Sequence, residues 1–229
     1  MAPTVINIQG SATLRSPAER AVLTLEVASW GKEQKVASNE VVYTVTQLQT
    51  RLDESCPRLS NGDISPEAPI SFYSIASLST SYGDEMDKDG ISTGQKVYRA
   101  NTTIEIHFRD FLLLGKMVVY FSDINFVSLQ CITWKLTDQI QAALEEQART
   151  DALRHAIQRA NNYAEVIGRT RVTPVKIQDS QQHLFFEGRV MQAAYRKTSS
   201  ESFGIGIGID FEPQVMEVKA NLEVEFHAE

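Results

Sequence analysis

The segment FGIGIGIDFEP, residues 203–213, places glycine at every second position and is the first candidate for chemistry in this sequence. Glycine-rich loops bind phosphate where a strand leads into the N-terminus of a helix, with the spacing G-x-G-x-x-G in the dinucleotide fingerprint. Here the spacing is G-x-G-x-G, and a predicted strand follows instead of a helix. Asp210 and Glu212 would also repel a phosphate. The segment therefore does not predict a nucleotide site.

The same segment has a large apolar residue at every other position. These residues are Phe203, Ile205, Ile207, Ile209 and Phe211. In an extended strand they share one face, and the glycines leave the other face open to close approach by another backbone. Such a stripe must be buried, either against the core of this chain or against a neighbouring subunit. We predict that it is a candidate interface, and the sequence leaves both partners open.

Two shorter motifs begin like functional sequences, but each lacks an essential part. Residues 29–32, Ser-Trp-Gly-Lys, fit the S-x-x-K pattern of serine acyl-transfer enzymes, but no S-D-N motif accompanies them. Residues 85–90 begin like an EF-hand calcium loop, but Lys96 stands where that loop needs a bidentate glutamate. We predict a structural role for the first motif and a solvated hairpin tip for the second.

The histidines and cysteines show no spacing typical of metal ligands or of a nucleophile with its base. They are His107, His155, His183, His227, Cys56 and Cys131. We predict solvated histidines and reduced thiols. No catalytic, metal-binding or cofactor-binding residue is predicted.

The overall charge bears on the class of partner. The chain has 229 residues and a formal net charge of -7, without a basic stripe interleaved with aromatic residues, so nucleic acid is not a predicted partner. No basic stretch precedes an apolar run near residue 1, and no apolar run reaches the roughly 18 residues of a membrane span. We expect a cytoplasmic protein with no membrane partner.

Alternation of apolar and polar residues predicts seven strands besides the glycine-rich segment. They cover residues 5–14, 21–28, 70–82, 97–108, 126–136, 171–178 and 216–226. Ser16-Pro17 is predicted as the turn between the first two strands.

Helical spacing predicts three helices. The first, of about six turns, follows Gly31, ends before Pro57 and has an apolar face made of Ala37, Val41, Val45, Leu48 and Leu52. The second covers 111–122 with Asp110 as its N-cap. The third covers 138–167, is terminated by Gly168 and is expected to lie close to a sheet because its inner residues are small. Those inner residues are Leu144, Ala148, Ala152, Ala156, Ala160 and Ala164.

These elements predict an α+β fold, because strands linked by hairpins outnumber strand-helix-strand crossovers. We expect mostly antiparallel sheet packed against the six-turn helix, the short helix and the long alanine-striped helix. A single domain over 1–229 is predicted, and the sequence leaves open a division into 1–110 and 111–229. Loops are predicted at 57–69, 82–96 and 179–202.

Several segments, in this order, resemble the SIMPL-domain family. The opening VINIQGSATLRSPAERAVLTLEVASWG is similar to the family's first two strands, with Ala18-Glu19 where an aspartate is usual. The stretch YRANTTIEIHFRDFLLLGKMVVYFSDINFVSLQCITWKLTD resembles its signature of strand, Arg-Asp turn, short helix and strand. The alanine-striped helix and the closing FEPQVMEVKANLEVEF also match, although Gln214 replaces a common glycine.

The resemblance implies a non-enzymatic protein. The family includes bacterial periplasmic immunogenic proteins, some of which form ring-like or channel-like oligomers, and a mammalian kinase-binding signalling protein. It implies no catalytic residues to transfer to this chain. We therefore expect homo-oligomerisation or protein-partner binding. One alternative is an enzyme or small-ligand binder whose site is assembled from distant residues, and another is a cytosolic signalling adaptor.

Overall fold

The computed structural model describes residues 3–86, 88, 91–179 and 211–229, and these form an α+β fold with antiparallel sheets. The strands are β1 (Thr4–Pro17), β2 (Arg20–Gly31), β3 (Ile70–Ile75), β4 (Ser79–Met86), β5 (Ser92–Phe108), β6 (Val127–Lys135), β7 (Val172–Asp179) and β8 (Val215–Ala228). The helices are α1 (Gln34–Ser55), α2 (Phe111–Ser122) and α3 (Asp138–Val166). The predicted fold class is confirmed.

The described residues divide into two compact units, each with its own sheet. The first unit contains the described residues up to 18, those from 135 to 179, and 214–229. The second contains the described residues from 19 to 134 together with 211–213.

The first unit is a three-stranded sheet covered on one face by α3. Its strand order is β1-β8-β7, and β1 pairs antiparallel with β8 from Thr4 opposite Ala228 to Pro17 opposite Val215. Alternate residues of β8 are buried and form the core of this unit. They are Met216, Val218, Ala220, Leu222, Val224, Phe226 and Ala228.

The alanine stripe of α3 lies directly against this sheet. All five predicted alanines are buried, whereas Leu144 is only half-buried. A methyl group added at Gly10 of β1 would lie 2.1 Å from the Ala152 carbonyl oxygen and 2.8 Å from the Ala156 Cβ. Strand and helix therefore meet at a distance that only glycine permits at this position.

Helix α3 ends as predicted at Gly168, which has a φ of 71°. The Gly168 N–H donates to the Glu165 carbonyl at 3.1 Å, and the Arg169 N–H donates to the Ala164 carbonyl at 2.8 Å. A left-handed glycine with these backward hydrogen bonds satisfies carbonyls that the helix leaves free.

The second unit contains a sheet of order β3-β5-β2-β6, with β4 paired to the other end of β5. Helix α1 packs on β2 and β5, and α2 contacts β5. The buried face of α1 includes Thr44, whereas the predicted Val45 is half-buried. Thr44 tolerates burial because its hydroxyl donates to the Glu40 carbonyl at 2.9 Å.

Two sequence-based expectations about connections are wrong. Ser16 and Pro17 do not form a turn but complete β1, and the next strand, β2, belongs to the other sheet. A proline is tolerated there because β1 is an edge strand of its sheet, where a missing N–H can face solvent. The predicted loop 82–96 is largely strand, since β4 runs to Met86 and β5 begins at Ser92. Both strands are exposed on both faces there, so no apolar alternation reveals them.

Asp110 caps α2 as predicted. Its carboxylate accepts hydrogen bonds from the Leu112 and Leu113 N–H groups at 2.9 and 3.1 Å. We expect Asp110→Ala to lower the free energy of unfolding by about 1 kcal/mol, because these two donors lose their partner. Chemical denaturation measures the change. Asp110→Asn retains an acceptor and should lose much less, and equal losses in the two variants would contradict a capping role.

Candidate interaction surface

A β-hairpin formed by β4 and the first half of β5, which we name the arm, extends beyond the helix-covered part of the second sheet. Every β4 residue except Glu85 is exposed, and so are residues 92–96 of β5. The two strands pair antiparallel from Ser79 opposite Asn101 to Met86 opposite Ser92. The arm therefore buries little apolar surface within its own unit.

The arm is held by contacts between side chains along its length. The Tyr82 and Tyr98 rings lie 6.2 Å apart, and the Lys96 ammonium lies 4.7 Å from the centre of the Tyr82 ring. Nearer its tip, Lys32 donates to the Gln95 side chain at 2.9 Å. These contacts favour an ordered hairpin in place of a loose loop.

The arm combines an open strand edge with exposed apolar side chains. Within the described ranges, no strand pairs with the outer edge of β4. Large apolar side chains along it are exposed, with Tyr82 at 67% and Met86 at 64% of full exposure. Unpaired strand edges with apolar side chains add strands from other chains. The arm therefore has the open edge and the apolar side chains that strand addition requires.

A second open edge, that of β1, is partly closed by side chains of α3. The Ser11 N–H and C=O lie 3.2 and 3.0 Å from Nδ1 of His155. Either tautomer of the ring satisfies one of these groups, as a hydrogen-bond acceptor or as a donor. Arg159, one turn further along the helix, donates to the Gln9 carbonyl at 2.9 Å. This pair of side chains seals the middle of the β1 edge.

The open face of the first sheet carries a shallow polar cavity of about 370 Å³. Its polar lining comes from all three strands. The residues are Asn7, Gln9, Lys176, Gln178, Glu223 and Glu225. His155 does not line it, so the structure does not bring this histidine together with the carboxylates of the cavity. The arrangement is that of a solvated sheet face.

The outer face of the second sheet carries a network centred on Glu26. Its carboxylate accepts from Arg99 at 2.6 Å, from Asn101 at 3.3 Å and from Gln130 at 3.0 Å. The Arg99 guanidinium also lies 5.2 Å from the centre of the exposed Trp30 ring. These residues come from three neighbouring strands, and the network ties those strands together across the sheet.

The S-x-x-K motif does not assemble a catalytic pair. Ser29 is fully buried and donates to the Glu40 carboxylate of α1. Lys32 donates to Gln95 of the arm. Serine and lysine thus have separate partners, in agreement with the structural interpretation of this motif.

Two of the histidines contact acids on their own strands. His107 Nε2 lies 2.6 Å from Glu105 Oε1, and the His107 ring meets Phe72 edge-on at 5.3 Å. His227 lies 3.8 Å from the Glu225 carboxylate. Both histidines are on the outward face of a strand. His155 contacts the β1 main chain, which sequence spacing does not reveal, and His183 lies outside the described residues.

The two cysteines lie in different environments. Cys56 is buried and Cys131 is exposed. Burial, assisted by the Asp53 carboxylate, raises the pKa of the Cys56 thiol from 9.0 to about 11. Burial and a 2.5 Å hydrogen bond to Asp53 also raise the pKa of Tyr73. Since the thiolate is the nucleophile, Cys56 is not suited to covalent catalysis near neutral pH.

This difference predicts selective labelling. At pH 8 we expect an alkylating reagent to modify Cys131 of the native protein and to leave Cys56 unmodified, because Cys56 is buried and protonated. Mass spectrometry of the digested protein would measure both. The Cys131→Ser variant is the control and should remain unlabelled, and equal labelling of the two cysteines in the wild type would contradict the burial of Cys56.

The same pKa shift predicts a loss of stability at high pH. Between the ordinary pKa of 9.0 and the folded value of about 11, the unfolded chain releases the Cys56 proton and the folded chain retains it. The contribution of Cys56 to stability is therefore complete below pH 9 and is lost as the pH rises towards 11. Denaturation measures the free energy of unfolding at pH 8 and at pH 10.5. This free energy should decrease less between the two pH values in Cys56→Ala than in the wild type, and identical decreases would contradict the pKa shift.

Most of the predicted glycine-rich interface lies outside the described residues, namely Phe203, Ile205, Ile207 and Ile209. Phe211 is described and is half-buried.

Among the described residues, no group of three histidine, cysteine or acidic side chains is arranged to hold a metal ion. The helices in the described ranges include none that is long and apolar enough to cross a membrane.

Comparison with known proteins identifies the family. The model of the SIMPL family, described as a protein of unknown function (DUF541), matches residues 6–226. The match covers nearly the whole chain, so the chain belongs to the SIMPL family. No curated protein matches it. The predicted membership is confirmed.

Proposed function

We propose that this SIMPL protein has no enzymatic activity and acts by associating with other protein chains, in the first place with copies of itself. The observation that supports this most directly is the arm, whose outer edge is open among the described residues. Its exposed apolar side chains supply the surface that a strand edge needs for stable association.

The chemistry of the described surface agrees with a binding role. The serine and lysine of the S-x-x-K motif are engaged separately, and the Cys56 thiol is buried and protonated. By contrast, the arm presents a tyrosine and a methionine to solvent, and aromatic residues and methionine are enriched at interfaces. Strand addition at this edge would provide main-chain hydrogen bonds together with burial of these side chains.

The test is the mass of the protein in solution over a range of concentrations, measured by size-exclusion chromatography with light scattering. We expect mass to increase with concentration in the wild type. The double substitution Tyr82→Ser and Met86→Ser should weaken association by about tenfold or more, because two exposed apolar contacts are lost. A wild type that stays monomeric throughout would contradict self-association and leave a different protein as the partner.

Leu112 of α2 offers a matched control. It is 67% exposed, as is Tyr82, but lies on a helix instead of a strand edge. Leu112→Ser should leave the association constant unchanged. If it weakened association as much as the arm substitutions, loss of general surface hydrophobicity would explain the result.

The glycine-rich stripe is a second proposed interface. Its alternation of large apolar residues with glycine supports this proposal. Ile207→Asp should reduce the mass measured at high concentration without changing the unfolding midpoint if the stripe contacts another chain. A lowered midpoint with unchanged association would show that the stripe belongs to the core of its own chain.

A further inference from the structure

The outer edge of β1 is sealed in its middle, at Gln9 and Ser11, and is open on either side of that point. The N–H and C=O of one strand residue point to the same side, and the side alternates along the strand. Ser11 and Gln9 bind α3 side chains on the outer side, so Val5 and Asn7 also direct their main-chain groups outward. Among the described residues these outward groups of Val5 and Asn7 have no hydrogen-bond partner. We name the open part on the N-terminal side, residues 4–7, the open half.

Exposed apolar side chains of α3 flank this open half. β1 and α3 run in opposite directions, with Ser11 beside His155 and Gln9 beside Arg159. The next turns of the helix therefore lie beside residues 4–7. Tyr163, Val166 and Ile167 on those turns are exposed, Val166 at 86%. A strand added to the open half would bury them.

Arg159 gives this edge an unpaired positive charge. Its guanidinium donates to two neutral oxygens, the Gln9 carbonyl at 2.9 Å and the Tyr163 hydroxyl at 3.4 Å. None of the described acidic side chains forms an ion pair with it. An acidic side chain on an added strand would form an ion pair with Arg159.

The arm carries the complementary residues. Tyr82 and Asp84 are two residues apart in β4 and so share one face of the arm, and Met86 follows after an irregularity in the pairing with β5. Asp84 has no ion pair among the described residues, because the ammonium of Lys96, its cross-strand partner, lies over the Tyr82 ring. The arm thus presents an unpaired acid between two exposed apolar side chains.

The spacings of the two surfaces also match. Alternate residues of a strand lie about 6.8 Å apart. Residues four apart on a helix lie about 6 Å apart. When Asp84 lies beside Arg159, the neighbouring apolar residue of β4, either Tyr82 or Met86, therefore lies beside Tyr163.

From these observations we propose that the arm of one copy adds as a strand to residues 4–7 of β1 in a second copy, with Asp84 paired to Arg159. This proposal rests on the proposed function and names the partner surface of the arm. The contact joins two different surfaces of the chain. Repeated contacts therefore build a ring if the rotation from each copy to the next leads back to the first copy, and a filament if it does not.

The first experiment removes the open edge. Val5→Pro deletes an outward N–H without deleting a β1–β8 hydrogen bond, so circular dichroism should be unchanged. We expect association, measured by light scattering, to weaken about tenfold or more. Val5→Thr is the matched control and should associate like the wild type. Normal association of a folded Val5→Pro variant would overturn the proposal.

The second experiment reverses charges. Arg159→Glu should weaken association, and Asp84→Arg in the same chain should restore it, because the ion pair is re-formed with opposite polarity. Arg149→Glu is the control, since Arg149 is an exposed arginine of the same helix. Failure of Asp84→Arg to restore association in a folded double variant would contradict the pairing.

Mixing two defective variants separates this proposal from the proposed function. A chain with Tyr82→Ser and Met86→Ser keeps its β1 edge, and a chain with Val5→Pro keeps its arm. Each should be monomeric alone, and the mixture should form a species of twice the mass of one chain and nothing larger. If the arm variant is monomeric but Val5→Pro associates normally, the arm binds elsewhere and only this inference fails. If both variants associate like the wild type, neither the arm nor the β1 edge is the interface, whereas a wild type that stays monomeric overturns the proposed function itself.

Discussion

Replacement of Gly10 by alanine is expected to lower the free energy of unfolding by about 3 kcal/mol. The new methyl group would lie 2.1 Å from the Ala152 carbonyl oxygen, far inside van der Waals contact. Helix α3 would have to move away from the sheet, and its alanine stripe would lose contact with β1 and β8. Denaturation by guanidinium chloride, followed by circular dichroism, measures the loss.

Gly83 in the arm provides the matched control. A methyl group added there meets no atom within 4 Å. Gly83→Ala should change the free energy of unfolding by less than about 0.5 kcal/mol. Similar losses in both variants would mean that the loss of glycine itself, instead of the contact with α3, causes the effect.

A second substitution identifies the obstacle at Gly10. In the Gly10→Ala background, Ala156→Gly removes the methyl group at 2.8 Å but leaves the Ala152 carbonyl oxygen in place. We expect no recovery of stability, because no side-chain change removes a main-chain oxygen. Recovery would show that the Ala156 methyl group limits the approach.

Replacement of Phe108 by alanine should lower the free energy of unfolding by about 4 kcal/mol. Phe108 is fully buried in the central strand β5, between its cross-strand partners Ala21 of β2 and Ile70 of β3. Truncation would leave a cavity that these strands cannot close without breaking their pairing. The same denaturation experiment applies.

Thr103 on the same strand is the control for Phe108. It is exposed on the opposite face, and Thr103→Ala should have an effect within about 0.5 kcal/mol. If Phe108→Ala cost no more than Thr103→Ala, the burial of Phe108 in the sheet would be contradicted.

Elements with a buried face could be predicted from the sequence. The five alanines of α3 recur at helical spacing, and Asp110 and Gly168 mark helix ends by their chemistry. These signals are local, since each depends on residues within a few positions. The family resemblance likewise depended on ordered local patterns, and it is confirmed over residues 6–226.

Features that depend on long-range contacts could not be predicted. His155 and Arg159 bind β1 residues that are 144 and 150 positions away in the chain. The close approach at Gly10 has the same origin, because it requires knowing that α3 crosses β1. For the arm the sequence predicted a hairpin tip but not the full length of its paired strands, since strands exposed on both faces have no apolar period. The candidate interaction surface therefore came mostly from the structure.

The pairing of β1 with β8 sets an order of events during synthesis. Close to 200 residues separate Pro17 from its partner Val215. At about 5 to 20 residues per second, a ribosome needs roughly 10 to 40 s to translate them. Over that time β1 has no sheet to join, whereas β2 and β5 can already meet. The first strand to be synthesised, β1, is thus among the last to pair, and chaperones have the longest time to bind it.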